Sequence, residues 1–384
     1  MQRENELERL LEEAELTSND EARVAILERA VREAEHLGDL EAAWEARWNL
    51  MEAAVFSGQG EKALVAFSWC LAQCDKGTTS HSEMELFWPY KWIISGLPSF
   101  PQASKTRIFD AWEDMARRFE RHGVGERVTW MLRAELLADM GELAASEEPF
   151  ERWVRTKRDF LSDCPLCDEH GVSVHRLRLG QRNESLQGFR RIMRRNDFCR
   201  RVPQATYGYV LRPLLEEGKG DEAVTWHRVG IRALETSADC LDTAAQHIRF
   251  KVLAQDVDGA TKLAERYWRY AEESRELDNV FEFYLALRAL VRDVGERLGE
   301  ARMALRPPQA VALEPCRGAH DANAKDFEVT EVAAWLDAKL TELAGRFDAR
   351  NGNDAFTRRL AEDVELDALS RPLRLTTEPK GGGS

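Results

Sequence analysis

One short turn recurs five times along the chain: a Gly or its substitute, a small residue five positions on, and an aromatic or small residue one helical turn later. It reads Gly58, Ala63, Phe67; Gly141, Ser146, Phe150; Gly180, Ser185, Phe189; Gly218, Ala223, His227; and Gln255, Ala260, Ala264. Gly supplies the left-handed residue that ends one helix, and the small residue lets the next helix approach closely. From 141 to 180 is 39 residues, from 180 to 218 is 38 and from 218 to 255 is 37, while the 83 residues from 58 to 141 hold two further units. A helical period of roughly 34 to 47 residues marks an α-solenoid, whose units bury their faces only against their neighbours. The expected fold is therefore all-α: a superhelix of about six to eight helical hairpins, finished by a capping helix pair.

Stacking of this kind lets 384 residues form one array rather than several domains. Eleven Trp and sixteen Phe suffice for a continuous core, and 32% charged residues suit its wide solvated surface. The expected organisation is a repeat array over 1–305, an irregular connection over 306–326 that holds Pro307, Pro308, Pro315 and Gly318, capping helices over 327–369, and an extended or disordered tail over 370–384. The last capping pair is read from Thr330 and Glu331 at one helix start and from Asn351-Gly352-Asn353-Asp354 between the two helices. Gly381-Gly382-Gly383-Ser384 has the composition of an added linker.

A net charge of −14 argues against general affinity for nucleic acid or anionic membranes. No apolar run resembles a secretory signal or a membrane span, and seven Cys spread over this length suit reduced thiols, so the chain reads as cytoplasmic. The average charge hides local asymmetry. Residues 1–41 carry thirteen acids against five bases, whereas 176–201 carry nine Arg against Glu184 and Asp197.

The unit from Trp44 to Asp75, with Ala63, Phe67 and the turn Gly58, resembles a tetratricopeptide repeat, although Met51 and Ala54 stand where that motif prefers a small residue and a Tyr. Across the whole chain, including Phe347 to Asp354 and Phe356 to Leu360, the sequence is similar to a bacterial group of tetratricopeptide-repeat-like proteins. The resemblance implies a helical repeat fold and a cytoplasmic bacterial setting, and brings no known activity with it.

Three constellations could carry chemistry. Cys164-Pro165-Leu166-Cys167, followed by His170 and His175, has the thiolate spacing of half a zinc site. Two structural thiols at a helix start, a Zn²⁺ site on Cys164, Cys167, His170 and His175, and a redox dithiol all remain open readings. Arg190, Arg191, Arg194 and Arg195 form two i, i+4 rows that could grip carboxylate or phosphate, or pair with the acidic surface of a neighbouring repeat. First helices of such hairpins line the inner wall, which makes Arg47, Asn49, Trp88, Lys91 beside Trp92, Arg133, Tyr207, Tyr209 and Arg249 candidates for holding a partner segment.

Catalytic motifs are missing: no glycine-rich phosphate loop, Gly-x-Ser-x-Gly elbow or His-Glu-x-x-His occurs. The sequence therefore predicts a non-enzymatic adaptor without an obligatory cofactor that binds a protein or peptide in its groove. The alternative is a zinc- or thiol-dependent regulator built on Cys164 and Cys167.

Overall fold

The computed structural model describes residues 2–195, 197–199, 201–234, 236, 240–308 and 326–375. The 309–325 part of the expected irregular connection, and the tail beyond 375, lie outside the described residues. Among the described residues the chain is all-α apart from one pair of short antiparallel strands, and it falls into two compact units.

The first unit comprises 1–136, 148–162 and 274–276. It holds α1 (Gln2–Leu16), α2 (Asp20–Leu37), α3 (Leu40–Phe56), α4 (Gly60–Lys76), α5 (Phe87–Gly96), α6 (Lys105–Arg121), most of α7 (Glu126–Asp139) and α8 (Glu147–Arg155). From α1 to α6 each helix packs on the next. The connections are set locally: Asn19 and Asp39 accept from the backbone N–H groups of Ala22 and Ala42, and Gly38 takes φ 70°.

The second unit comprises 137–147, 163–273 and 277 onward. Its helices are α9 (Pro165–Arg178), α10 (Arg182–Met193), α11 (Gln204–Tyr209), α12 (Leu211–Glu216), α13 (Gly220–Ala233), α14 (Leu241–Leu253), α15 (Val257–Glu273), α16 (Leu277–Arg292), α17 (Val329–Asn351) and α18 (Ala355–Glu365). Pairs α9–α10 and α14–α15 are helical hairpins, and α14 packs on both α15 and α16, as stacked repeats require. Trp268, Tyr267, Phe281, Phe283 and Phe347 fill the continuous core of the α14–α18 end.

All five turns read from the sequence adopt one geometry. Gly58, Gly141, Gly180, Gly218 and Gln255 have φ 70°, 80°, 75°, 75° and 63°. In each, the turn residue donates to the carbonyl three back and its successor to the carbonyl five back, for example Gly218 to Leu215 at 3.0 Å and Lys219 to Leu214 at 2.8 Å. The pair of bonds satisfies carbonyls that a helix end leaves open. Ala63, Ser146, Ser185, Ala223 and Ala260 are fully buried, and Phe67, Phe150, Phe189, His227 and Ala264 are buried one turn later.

The C-terminal region differs from its reading in three places. Where the sequence predicts one or two further helices over 279–305, stopped by Arg306-Pro307-Pro308, regular α-helix ends at Arg292, and β1 (Arg302–Ala304) pairs antiparallel with β2 (Asp326–Glu328), register Met303 to Phe327. The strands tuck Met303 and Phe327 into the core. Consequently α17 starts at Val329 after Glu328, and Thr330 is not its cap. The start of α18 is capped by Asp348, whose carboxylate accepts from Phe356 and Thr357 at 2.8 and 3.0 Å, while Asp354 makes no capping bond.

Residues 371–375 of the tail lie extended along the second unit. Arg371 and Leu373 donate backbone N–H groups to the carbonyls of Leu253 and Ala254, Leu373 and Leu375 pack on its core, and the Arg228 guanidinium donates to the carbonyls of Arg374 and Leu375.

Candidate functional site

Most of the inner-wall candidates read from sequence hold the fold together. Arg47 is buried, donates to the Ala43 carbonyl and Glu35, and lies 4.0 Å over the Trp69 ring. Lys91, also buried, donates to the Leu161 carbonyl at 2.6 Å and sits 3.7 Å over Trp88. Asn49 turns back to its own helix at the Glu45 carbonyl, Trp92 packs edge-on against Phe56, and Arg133 stacks on Phe109 and Trp112. Tyr207 is buried and stacks on Trp226.

The arginine rows find acids in their own unit. Arg190 makes a two-pronged contact with Glu222, both bonds 2.8 Å, which lifts the guanidinium above its usual range and holds Glu222 below the usual carboxylate range. Arg191 pairs with Glu169 and Arg195 with Asp197, and Arg194 is exposed. Arg249, with Arg288 and Arg292, grips Asp363 and Asp367 and so pins α18 onto α14 and α16.

A different set of polar groups converges within the second unit. Its last hairpin reaches back to its first turn: Asn353 donates from Nδ2 to the Met140 carbonyl at 2.7 Å, and a Cβ built on Gly141 would stand 2.2 Å from that of Ala355. The last hairpin of the unit thus touches its first turn. Tyr209 from α11 is pushed up to about 12, first by burial and then by Asp242, with Arg178, Arg201 and Asp139 also close enough to act on it. Arg359 from α18 is pushed down to about 10, first by burial and then by the like charge of Arg178, with Asp278, Glu362 and Tyr209 in the same neighbourhood. Burial also lowers Arg350, against Asp278 and Asp139. Arg178 bonds Asp139 at 2.6 Å, and Arg201 lies 3.9 Å from Asp242.

Arg359 still exposes 35% of its side chain, pairs with Glu282 and lies 5.1 Å over Phe281 and Phe356. Arg359 is thus crowded by protein on several sides while part of its side chain still reaches water. The half-buried Tyr209 fits the same description, and it meets His170 edge-on at 5.3 Å. His170 itself is pushed down to about 3, by burial and then by Arg201. Sequence reasoning found Tyr209 but not Arg178, Arg350 or Arg359. Arg178 and Arg350 sit in the last turns of α9 and α17 and Arg359 within α18, positions that charge-rich helices fill with Arg everywhere.

The metal candidates separate in space. His170 Nδ1 is 2.9 Å from Thr206 Oγ1, and His175 Nε2 is 3.1 Å from Ser146 Oγ. The sulfur atoms of Cys164 and Cys167 are joined instead by Cys199, all three within 4.8 Å of one another, with Cys167 Sγ 3.0 Å from Cys199 Sγ. Neither His belongs to that set. Donation from Cys167 pushes Cys199 down to about 5, despite burial and with help from the backbone N–H groups of Val202 and Arg201, while the same bond and burial drive Cys167 up.

No family model matches the chain, and no curated protein matches it. Among solved structures, the crystal structure of NprR in complex with its cognate peptide NprX is similar over 94% of this chain and 98% of that one, at 13% identity and a TM-score of 0.43. A superposition at that score does not align repeats one to one and transfers no site. No helix among the described residues is long and apolar enough to cross a membrane.

Proposed function

We propose that the chain is a non-enzymatic binding protein whose second unit holds a peptide segment against its inner wall. The carrying observation is Arg359: a partly wet guanidinium, crowded by protein and by the like charge of Arg178, in a unit whose last hairpin touches its first turn. An anion placed there relieves the repulsion between the two arginines, so the anchor of the ligand is an acidic side chain or a C-terminal carboxylate. Tyr209, Asp139 and Asp278 supply a hydroxyl and carboxylate acceptors for backbone N–H groups of an extended segment. In this reading Arg190, Arg191 and Arg195 are structural, because Glu222, Glu169 and Asp197 engage them.

Selection of a displayed random-peptide library with free C-termini on the whole protein tests this. Recovered peptides should share an acidic or terminal-carboxylate anchor. Their affinity should fall at least about tenfold in Arg359→Met and Arg178→Met and should weaken with salt. Arg190→Met should bind as the parent does. A library that yields no enriched sequence, or binders indifferent to both inner-wall substitutions, ends the reading.

A further inference from the structure

Cys164, Cys167 and Cys199 form a compact trio at the start of α9, outside the inner wall. Each of two sulfurs faces backbone donors in the manner of a thiolate. The Cys167 N–H lies 3.4 Å from Cys164 Sγ, an i, i+3 bond enforced by Pro165 at the first helical position, and the N–H groups of Arg201 and Val202 converge on Cys199 Sγ. The two loops have one plan: a Cys whose sulfur accepts from the residue three on. In the first, that residue is a second Cys; in the second it is Val202. Leu166, Ile192 and Val202 close an apolar floor beneath all three sulfurs, which limits water and strengthens any metal–thiolate bond.

We infer that Cys164, Cys167 and Cys199 bind one Zn²⁺ through three thiolates, with the fourth position taken by water or an outside ligand. Zn–S bonds of about 2.3 Å in tetrahedral array place sulfurs near ~3.8 Å apart. The three sulfurs lie within 4.8 Å of one another, and the Cys167–Cys199 pair, at 3.0 Å, must open slightly. Three thiolates and Zn²⁺ carry one net negative charge, beside an Arg-rich connection. Soft sulfur donors and the absence of a carboxylate from the set favour zinc over magnesium or calcium. The ion would tie the connection between α10 and α11 to the start of α9. That connection carries Arg201, two residues beyond Cys199, toward Asp242 and Tyr209. The site is independent of the peptide reading and survives its failure.

Cobalt provides the test. Reduced, chelator-stripped full-length protein is titrated with Co²⁺, and the thiolate-to-cobalt charge-transfer band and the d–d bands of a tetrahedral ion are followed, then reversed with Zn²⁺. One Co²⁺ per chain is expected, displaced by stoichiometric Zn²⁺. Cys199→Ser should weaken uptake by more than about 100-fold, and Cys240→Ser should leave it unchanged. Because Cys199→Ser could also unfold the connection, thermal unfolding with and without Zn²⁺ is recorded on both proteins, and only the parent should gain stability. Absence of the charge-transfer band in folded, reduced parent overturns the site. So does equal uptake by Cys199→Ser, or a Cys167–Cys199 disulfide in protein whose reduced form takes up no metal.

Discussion

Arg118 in the first unit and Arg359 in the second meet opposite surroundings. Arg118 is the hub of a charge network: it bonds Asp75, Asp114 and Glu83, each at 2.7 Å, exposes only 11% of its side chain, and is raised above its usual range chiefly by the bond to Asp75. Arg359 has one close acid and a nearby cation, and is lowered. The same side chain is thus an internal brace in one place and held against its preference in the other. The proposed peptide anchor rests on that second arrangement.

The widest separation between the two units should appear in acid. His175, His227 and His247 of the second unit are buried, and burial pushes them down to about 4, 2 and 3, with His227 Nδ1 2.9 Å from His247 Nδ1. The unfolded chain takes up protons near pH 6.5 and the native unit does not, so stability present at neutral pH is lost as pH falls below 6.5 toward those lowered values. At ~1.4 kcal/mol per group per pH unit, three groups remove roughly 4 kcal/mol between pH 7.5 and 5.5. In the first unit, bonds from His122 and Arg118 hold Glu83 low against burial, and bonds from Arg118 and Tyr90 do so for Asp114. Their contribution lasts until pH falls below the ordinary carboxylate range. Hydrogen exchange resolved by segment, corrected for intrinsic rates, should show α9–α16 losing protection at a higher pH than α2–α6. Simultaneous loss would erase the distinction.

Arg118→Ala should cost about 3 kcal/mol in urea unfolding, because Asp114 and Glu83 lose their main counter-charge. Arg359→Met keeps the stem that lies on Phe281 and Phe356 and should change stability by less than about 1 kcal/mol while weakening ligand binding at least about tenfold. If both substitutions prove equally costly, the two arginines play the same part.

The turns allow finer comparison. Gly141→Ala forces a left-handed Ala and drives its Cβ into Ala355, so a loss of about 2–3 kcal/mol is expected. Gly180→Ala has the same backbone strain with nothing within 4 Å, and should lose only about 1 kcal/mol. Gln255→Gly should gain about 0.5–1 kcal/mol, since Gln255 already occupies the left-handed region, φ 63°. Thermal melts of the three variants, ranked in this order, check the assignment.

The turns were legible because their cause is local: a positive φ and a methyl-sized contact are written into six residues. That held even at Gln255, where the small residue at 260 betrayed the position without a Gly. The proposed ligand wall was not legible, because Arg178, Tyr209 and Arg359 come together only across about 180 residues of chain. Arg47 and Lys91 misled for a related reason, since a cation on a first helix reads alike whether it faces a groove or caps a carbonyl. Cys199 stood outside the Cys164/Cys167 motif because nothing in its own loop repeats the pair. The strands β1 and β2, three residues each, are shorter than any alternation can reveal.

The contact of Asn353 with Met140 has a kinetic meaning. On the proposed reading, one hydrogen bond from an amide and one glycine-sized gap form the latch beside the bound segment. Arrival and departure would then share a single gate, and a side chain at position 141 would prop it ajar, quickening both without touching the guest.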